Sequence, residues 1–164
     1  FNIIGPLTNP ASAKAQVLGV ADESLLEKLA LVLQSLGCNH ALVVHGDDGL
    51  DEITITGKTK VCELKNSRIK KYSISPEDFG LSQTSLENLK GGSADENATL
   101  LRKILAGTTG PQRDVVLMNT AAVLLAGEKV RTLQEGISLA KEVIDSGHAS
   151  MKLEQLIEFS QSLT

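Results

Sequence analysis

The stretch Gln16-Val17-Leu18-Gly19-Val20-Ala21-Asp22, continued by Glu23 to Leu36, Gly37 and Ala41-Leu42-Val43-Val44, decides the fold. Its first six residues are a short β-rich run. Asp22 suits a helix N-cap, because its carboxylate accepts from the free N–H groups of a first turn. From Glu23 onward Leu25, Leu29, Val32, Leu33 and Leu36 recur at spacings of three and four, the period of one helix face, and Gly37 ends the pattern. Ala41 to Val44 is apolar without alternation, as in a strand covered on both faces. Strand, helix and strand in so short a span predict two parallel strands joined by a right-handed crossover.

Beyond this unit the pattern changes. Ile53-Thr54-Ile55-Thr56, Thr59 to Leu64 and Ile69 to Ile74 alternate between short polar turns and predict an antiparallel meander beside the parallel pair. Ser75 to Gly80 reads as a turn or one-turn helix initiated by Pro76, and residues 81–93 as a polar connector ending in Gly91-Gly92-Ser93. Four helices are expected after it, over 94–106, 111–126, 132–146 and 150–163, with Pro111 near the first position of the second. The expected fold is therefore α/β: a mixed, mainly parallel sheet flanked by helices, with a β-meander insertion, in a single domain over residues 1–164.

Composition narrows the function. The 164 residues carry 16 Lys plus Arg against 20 Asp plus Glu, a formal charge of −4. That length suffices for one core. Phe1, Phe79, Phe159 and Tyr72 are the only aromatics, and no Lys/Arg cluster beyond Lys70-Lys71 stands out, so no nucleic-acid surface is expected. No apolar run approaches the roughly 18 residues of a membrane helix, and no membrane partner is expected. Cys38 and Cys62 lack CxxC or Cys/His spacing and read as buried small hydrophobes of a reducing cytoplasm rather than a bridge. Phe1 opens the chain inside an apolar run, which suggests a piece of a longer polypeptide.

The most informative segment chemically is His45-Gly46-Asp47-Asp48-Gly49-Leu50-Asp51-Glu52, directly after a buried strand. Ligands in α/β sheets bind at the carboxyl ends of strands. Four carboxylates in six residues repel one another unless they face water or a cation. Asp51 and Glu52 offer hard oxygen ligands to Mg²⁺, while Asp-Asp-Gly equally suits a solvated turn. Gly5-Pro6-Leu7-Thr8-Asn9-Pro10 is stiff, as befits either a connector or a loop presenting its backbone to a ligand. Gly91-Gly92-Ser93 before a helix suits an anion site or a plain cap. His45 is read as structural, or as a general base. His40 and His148 lack a partner in sequence, and Asn97 and Asn119 are read as hydrogen-bonding anchors or exposed face residues. No residue of this chain is singled out as catalytic.

Taken together, Phe1-Asn2-Ile3-Ile4-Gly5-Pro6-Leu7-Thr8-Asn9-Pro10-Ala11, Val43-Val44-His45-Gly46 to Gly49-Leu50-Asp51-Glu52, Asp95-Glu96-Asn97-Ala98 and Met118-Asn119-Thr120-Ala121-Ala122 resemble the C-terminal half of the anthranilate phosphoribosyltransferases of tryptophan biosynthesis. The resemblance implies the C-terminal domain fold of the nucleoside phosphorylase and phosphoribosyltransferase group. It implies transfer of phosphoribose from phosphoribosyl pyrophosphate to anthranilate, with pyrophosphate released. It assigns Asp51 and Glu52 to Mg²⁺ and Gly5 and Pro6 to the anthranilate site. It also implies that a Gly-rich phosphate loop, a Lys-His-Gly-Asn motif and an N-terminal helical domain making a homodimer belong upstream of Phe1, so that this chain alone is inactive. A related nucleoside phosphorylase-type transferase and a non-catalytic folded fragment are the alternatives.

Overall fold

A computed structural model describes residues 3–11 and 13–163. A short helix α1 (Ile4–Leu7) leads to strand β1 (Ala15–Gly19). Asp22 caps the next turn as expected, its carboxylate accepting from the Ser24 amide at 2.9 Å, and helix α2 (Leu26–Ser35) follows. Strands β2 (His40–Gly46), β3 (Thr59–Lys65) and β4 (Arg68–Ile74) complete a four-stranded sheet in the order β1-β2-β3-β4. Helices α3 (Ala94–Leu105), α4 (Pro111–Ala126), α5 (Leu133–Asp145) and α6 (His148–Gln161) follow; α4 packs on the sheet, α5 on α4, and α3 and α6 on α5.

The α/β class, the mixed sheet and the meander agree with the sequence reading, but the balance of pairings differs. Among the described residues only β1 and β2 run parallel, while β2–β3 and β3–β4 are antiparallel. A second departure concerns Ile53 to Thr56, which is not a strand. Ile53, Thr54 and Ile55 are completely buried, so the alternation reports burial, but their backbone groups are bonded to side chains and a loop instead of a ladder.

Alternation on β2 sends its side chains to two cores. Leu42 and Val44 meet Leu117, Met118, Ala121, Ala122 and Leu125 of α4, with Ile137, Ala140 and Ile144 of α5 behind. Ala41 and Val43 meet Leu26, Leu29, Ala30 and Leu33 of α2. Helices α4 and α5 are pressed together: a Cβ at Gly136 would stand 2.8 Å from Ala121. The almost buried Arg113 ties their ends, donating to the Gly107 carbonyl at 2.8 Å and to Asp145 at 2.6 Å.

A braced acidic loop at the candidate functional site

Strand β2 delivers the chain to the loop 46–59 at the carboxyl end of the parallel pair. The Gly49 amide donates to the Gly46 carbonyl at 2.8 Å and the Gly46 amide to Leu50 at 2.9 Å, closing a turn in which Gly49 adopts φ +88°. The four carboxylates separate into two roles. Asp47 lies 4.0 Å from the Lys60 ammonium. Asp48, though exposed, is tied into the loop: Oδ2 accepts from the Thr54 and Thr56 hydroxyls at 2.6 and 2.5 Å, and Oδ1 from the Leu50 amide at 3.1 Å. Burial on its own would raise the Asp48 carboxyl; these donors outweigh it and hold the group below its ordinary value.

Asp51 and Glu52 remain exposed and uncommitted to the fold. Partial desolvation, and then the like charges of Asp51 and Asp48, push the Glu52 carboxyl above its usual range. Two adjacent carboxylates under mutual repulsion are a donor set that a hard cation relieves. Among the described residues no group of three or more His, Cys, Asp or Glu side chains is placed to hold a metal. A pair of carboxylates is the donor set that Mg²⁺ takes when phosphate oxygens and water complete its shell.

The backbone beneath the pair is fixed from two sides. Asn119 of α4 accepts from the Ile53 amide at 3.0 Å and donates to the Ile53 carbonyl at 2.8 Å, so the anchoring reading of this residue holds. The Thr54 amide donates to Thr59 Oγ1 at 3.0 Å, and the Thr84 amide to the Ile55 carbonyl at 3.0 Å. On the other side Gly19 lets β1 touch the loop, since a Cβ there would fall 1.5 Å from the Asp51 carbonyl oxygen. Neither Gly19 nor the threonines stand out in the sequence, because a glycine in a strand and a Thr/Ile alternation look like ordinary β-structure. His45 is structural: Nδ1 donates to the Val20 carbonyl at 2.8 Å.

The segment Gly5 to Pro10 lies at the other end of β1. Pro6, Leu7 and Asn9 line a groove of about 170 Å³ with Lys14, Gln16, Leu33, Leu36 and Cys38. This chain does not bring Gly5 and Pro6 against Asp51 and Glu52. Gly91-Gly92 is filled by its own helix: Glu96 accepts from the Ser93 amide at 2.7 Å and Asn97 from the Gly92 amide at 2.8 Å. An acceptor built into α3 thus occupies the place of an anion. Cys38 and Cys62 are both free and buried.

Residues 1–150 match the family described as glycosyl transferase family, a/b domain. The chain belongs to that glycosyl transferase family. It is 53% identical over 160 residues to an anthranilate phosphoribosyltransferase of Clostridium kluyveri, covering 98% of this chain and 48% of the relative. It is 51% identical over 162 residues to one of Acetivibrio thermocellus, covering 99% and 47%. Among solved structures, the anthranilate phosphoribosyltransferase of Thermus thermophilus superposes with a TM-score of 0.88 at 42% identity, over 96% of this chain and 46% of that one. The Saccharomyces cerevisiae enzyme in complex with PRPP and Mg gives 0.87 at 32% identity, over 97% and 46%. The chain thus spans about half the length of the glycosyl transferase relatives it matches.

Proposed function

We propose that this chain is the C-terminal portion of an anthranilate phosphoribosyltransferase, in which Asp51 and Glu52 hold the Mg²⁺ that accompanies phosphoribosyl pyrophosphate. The observation that carries this reading is identity of about one half, along essentially the whole chain, to relatives bearing that one name. In the reaction the bond from ribose C1 to pyrophosphate oxygen breaks, its electron pair leaving with pyrophosphate. The anthranilate nitrogen forms the new bond to C1 and loses a proton. When bound, Mg²⁺ would neutralise charge growing on the pyrophosphate.

The protein's part is positioning. Asp48 and Asn119 fix the loop so that Asp51 and Glu52 meet a cation with little further ordering. Gly5 and Pro6 are proposed to line the acceptor site; the Gly-Pro-Leu-Thr-Asn-Pro motif is what supports that assignment. The remaining half of the longer protein would supply the phosphate-binding side, so the 164-residue chain expressed by itself is expected to release no pyrophosphate.

The test uses the longer protein. Anthranilate-dependent pyrophosphate release is expected, and Asp51→Asn or Glu52→Gln should raise the Mg²⁺ concentration needed for half activity by roughly tenfold or more. An unchanged Mg²⁺ requirement in both variants would remove the metal assignment. Turnover of a pyrimidine nucleoside in place of anthranilate would replace the activity.

A further inference from the structure

Strand register aligns three rows of side chains on the α4 face of the sheet: Val44, Val61 and Tyr72; Leu42, Glu63 and Lys70; His40, Lys65 and Arg68. The first row is core. The third sets Lys65 directly opposite Arg68 beside the β3–β4 turn, where like charges destabilise a cross-strand pair. Among the described residues neither has a carboxylate within ion-pair distance. Lys70 has none either, whereas Lys60 and Lys71 on the same two strands do.

The middle row does not compensate. Glu63 lies opposite Lys70 but spends its carboxylate elsewhere, accepting from His40 Nε2 at 2.8 Å beside the Tyr72 side chain. An ionised carboxylate only accepts, so Nε2 carries the His40 hydrogen. The Lys70 ammonium stands 5.5 Å from the centre of the Tyr72 ring instead. Lys65, Arg68 and Lys70 are left facing a groove of about 570 Å³ completed by Glu63 and Asn66. The groove is open to solvent, with room for a ligand that touches all three cations at once. An Arg fork among ammonium groups suits phosphate or carboxylate oxygens.

We propose that this groove binds a small polyanion carrying phosphate or carboxylate groups, which relieves the repulsion between Lys65 and Arg68. The site lies at the start of β2, at the opposite end of that strand from the acidic loop, and it does not depend on the activity proposed above. The experiment is a titration of the protein in Mg²⁺-free buffer with tripolyphosphate, and separately with citrate, followed by amide NMR. Saturable shifts confined to Asn66 to Lys70 and neighbouring β3 support the site. Saturation by tripolyphosphate alone assigns phosphate recognition, and saturation by both assigns recognition by charge. Arg68→Ala and Lys65→Ala, both at exposed positions, should each weaken binding by about tenfold while leaving amides elsewhere unshifted. Absence of saturation at several millimolar probe, affinity in both variants unchanged from that of the unsubstituted protein, or shifts spread over unrelated surface lysines would each overturn the proposal.

Discussion

The loop 46–59 and the segment 4–11 flank the same pair of parallel strands and are held in opposite ways. In the loop, bonds cross long stretches of chain: Asn119 grips Ile53, Thr84 reaches Ile55, and β1 lies against Asp51 through Gly19. Among the described residues of the segment the bonds are local, from Thr8 back to Ile4 and from the Ala11 amide to Asn9. Ile4 there is 63% exposed, and Leu7 packs against the α2 core. A glycine bears on each region, Gly19 of β1 against the loop and Gly5 within the segment, and the two answer to different demands. Gly19 has no space for a methyl group, whereas a Cβ at Gly5 meets nothing within 4 Å.

The sharpest way to break this contrast is Gly19→Ala. The added carbon runs into backbone, which cannot rotate aside, so a loss of roughly 3 kcal/mol or more is expected in urea unfolding. A loss under about 1 kcal/mol would mean that β1 and the loop are not in contact. Next is Asp48→Ala, which strips the acceptor from Thr54, Thr56 and the Leu50 amide and should cost about 1–2 kcal/mol near neutral pH. The folded carboxyl lies below its ordinary 3.8. Its contribution is therefore present above that value and lost as pH falls through the folded value, so the two proteins should converge in acid. A gap that stays constant from neutral pH into acid would show that the charge is irrelevant. Smallest is Gly5→Ala, expected to move stability by no more than about 0.5 kcal/mol. If Gly5 lines the acceptor site, the same substitution in the longer protein should raise the anthranilate KM while the Mg²⁺ requirement stays put.

Much of this is readable in the residues themselves. The period of three and four in Glu23 to Leu36 and the unbroken Ala41 to Val44 specify α2 and β2, because each pattern has a single buried solution. Ile53 to Thr56 does not yield to the same logic. Period-two burial also arises in an extended segment whose partners are side chains, and no local signal names Asn119 or Thr59 as those partners. The acidic run is legible as a candidate site, since charge density needs no register. Its division into structural Asp48 and free Asp51 and Glu52 depends on hydroxyls six and eight residues away. Likewise, Lys70-Lys71 looks like the one basic feature in sequence, yet Lys71 faces α2 and pairs with Glu27, while hairpin pairing brings Lys65 and Arg68 to Lys70.

The grip of Asn119 has an entropic side. Helix α4 is wedged against α5 at Gly136 and clamped by Arg113, and Asn119 passes that rigidity to the peptide immediately after Glu52. A floppy acidic loop would surrender conformational freedom each time a cation arrived, and affinity would fall accordingly. Here most of that ordering is completed when the chain folds, so the proposed ligands Asp51 and Glu52 would have little more freedom to lose.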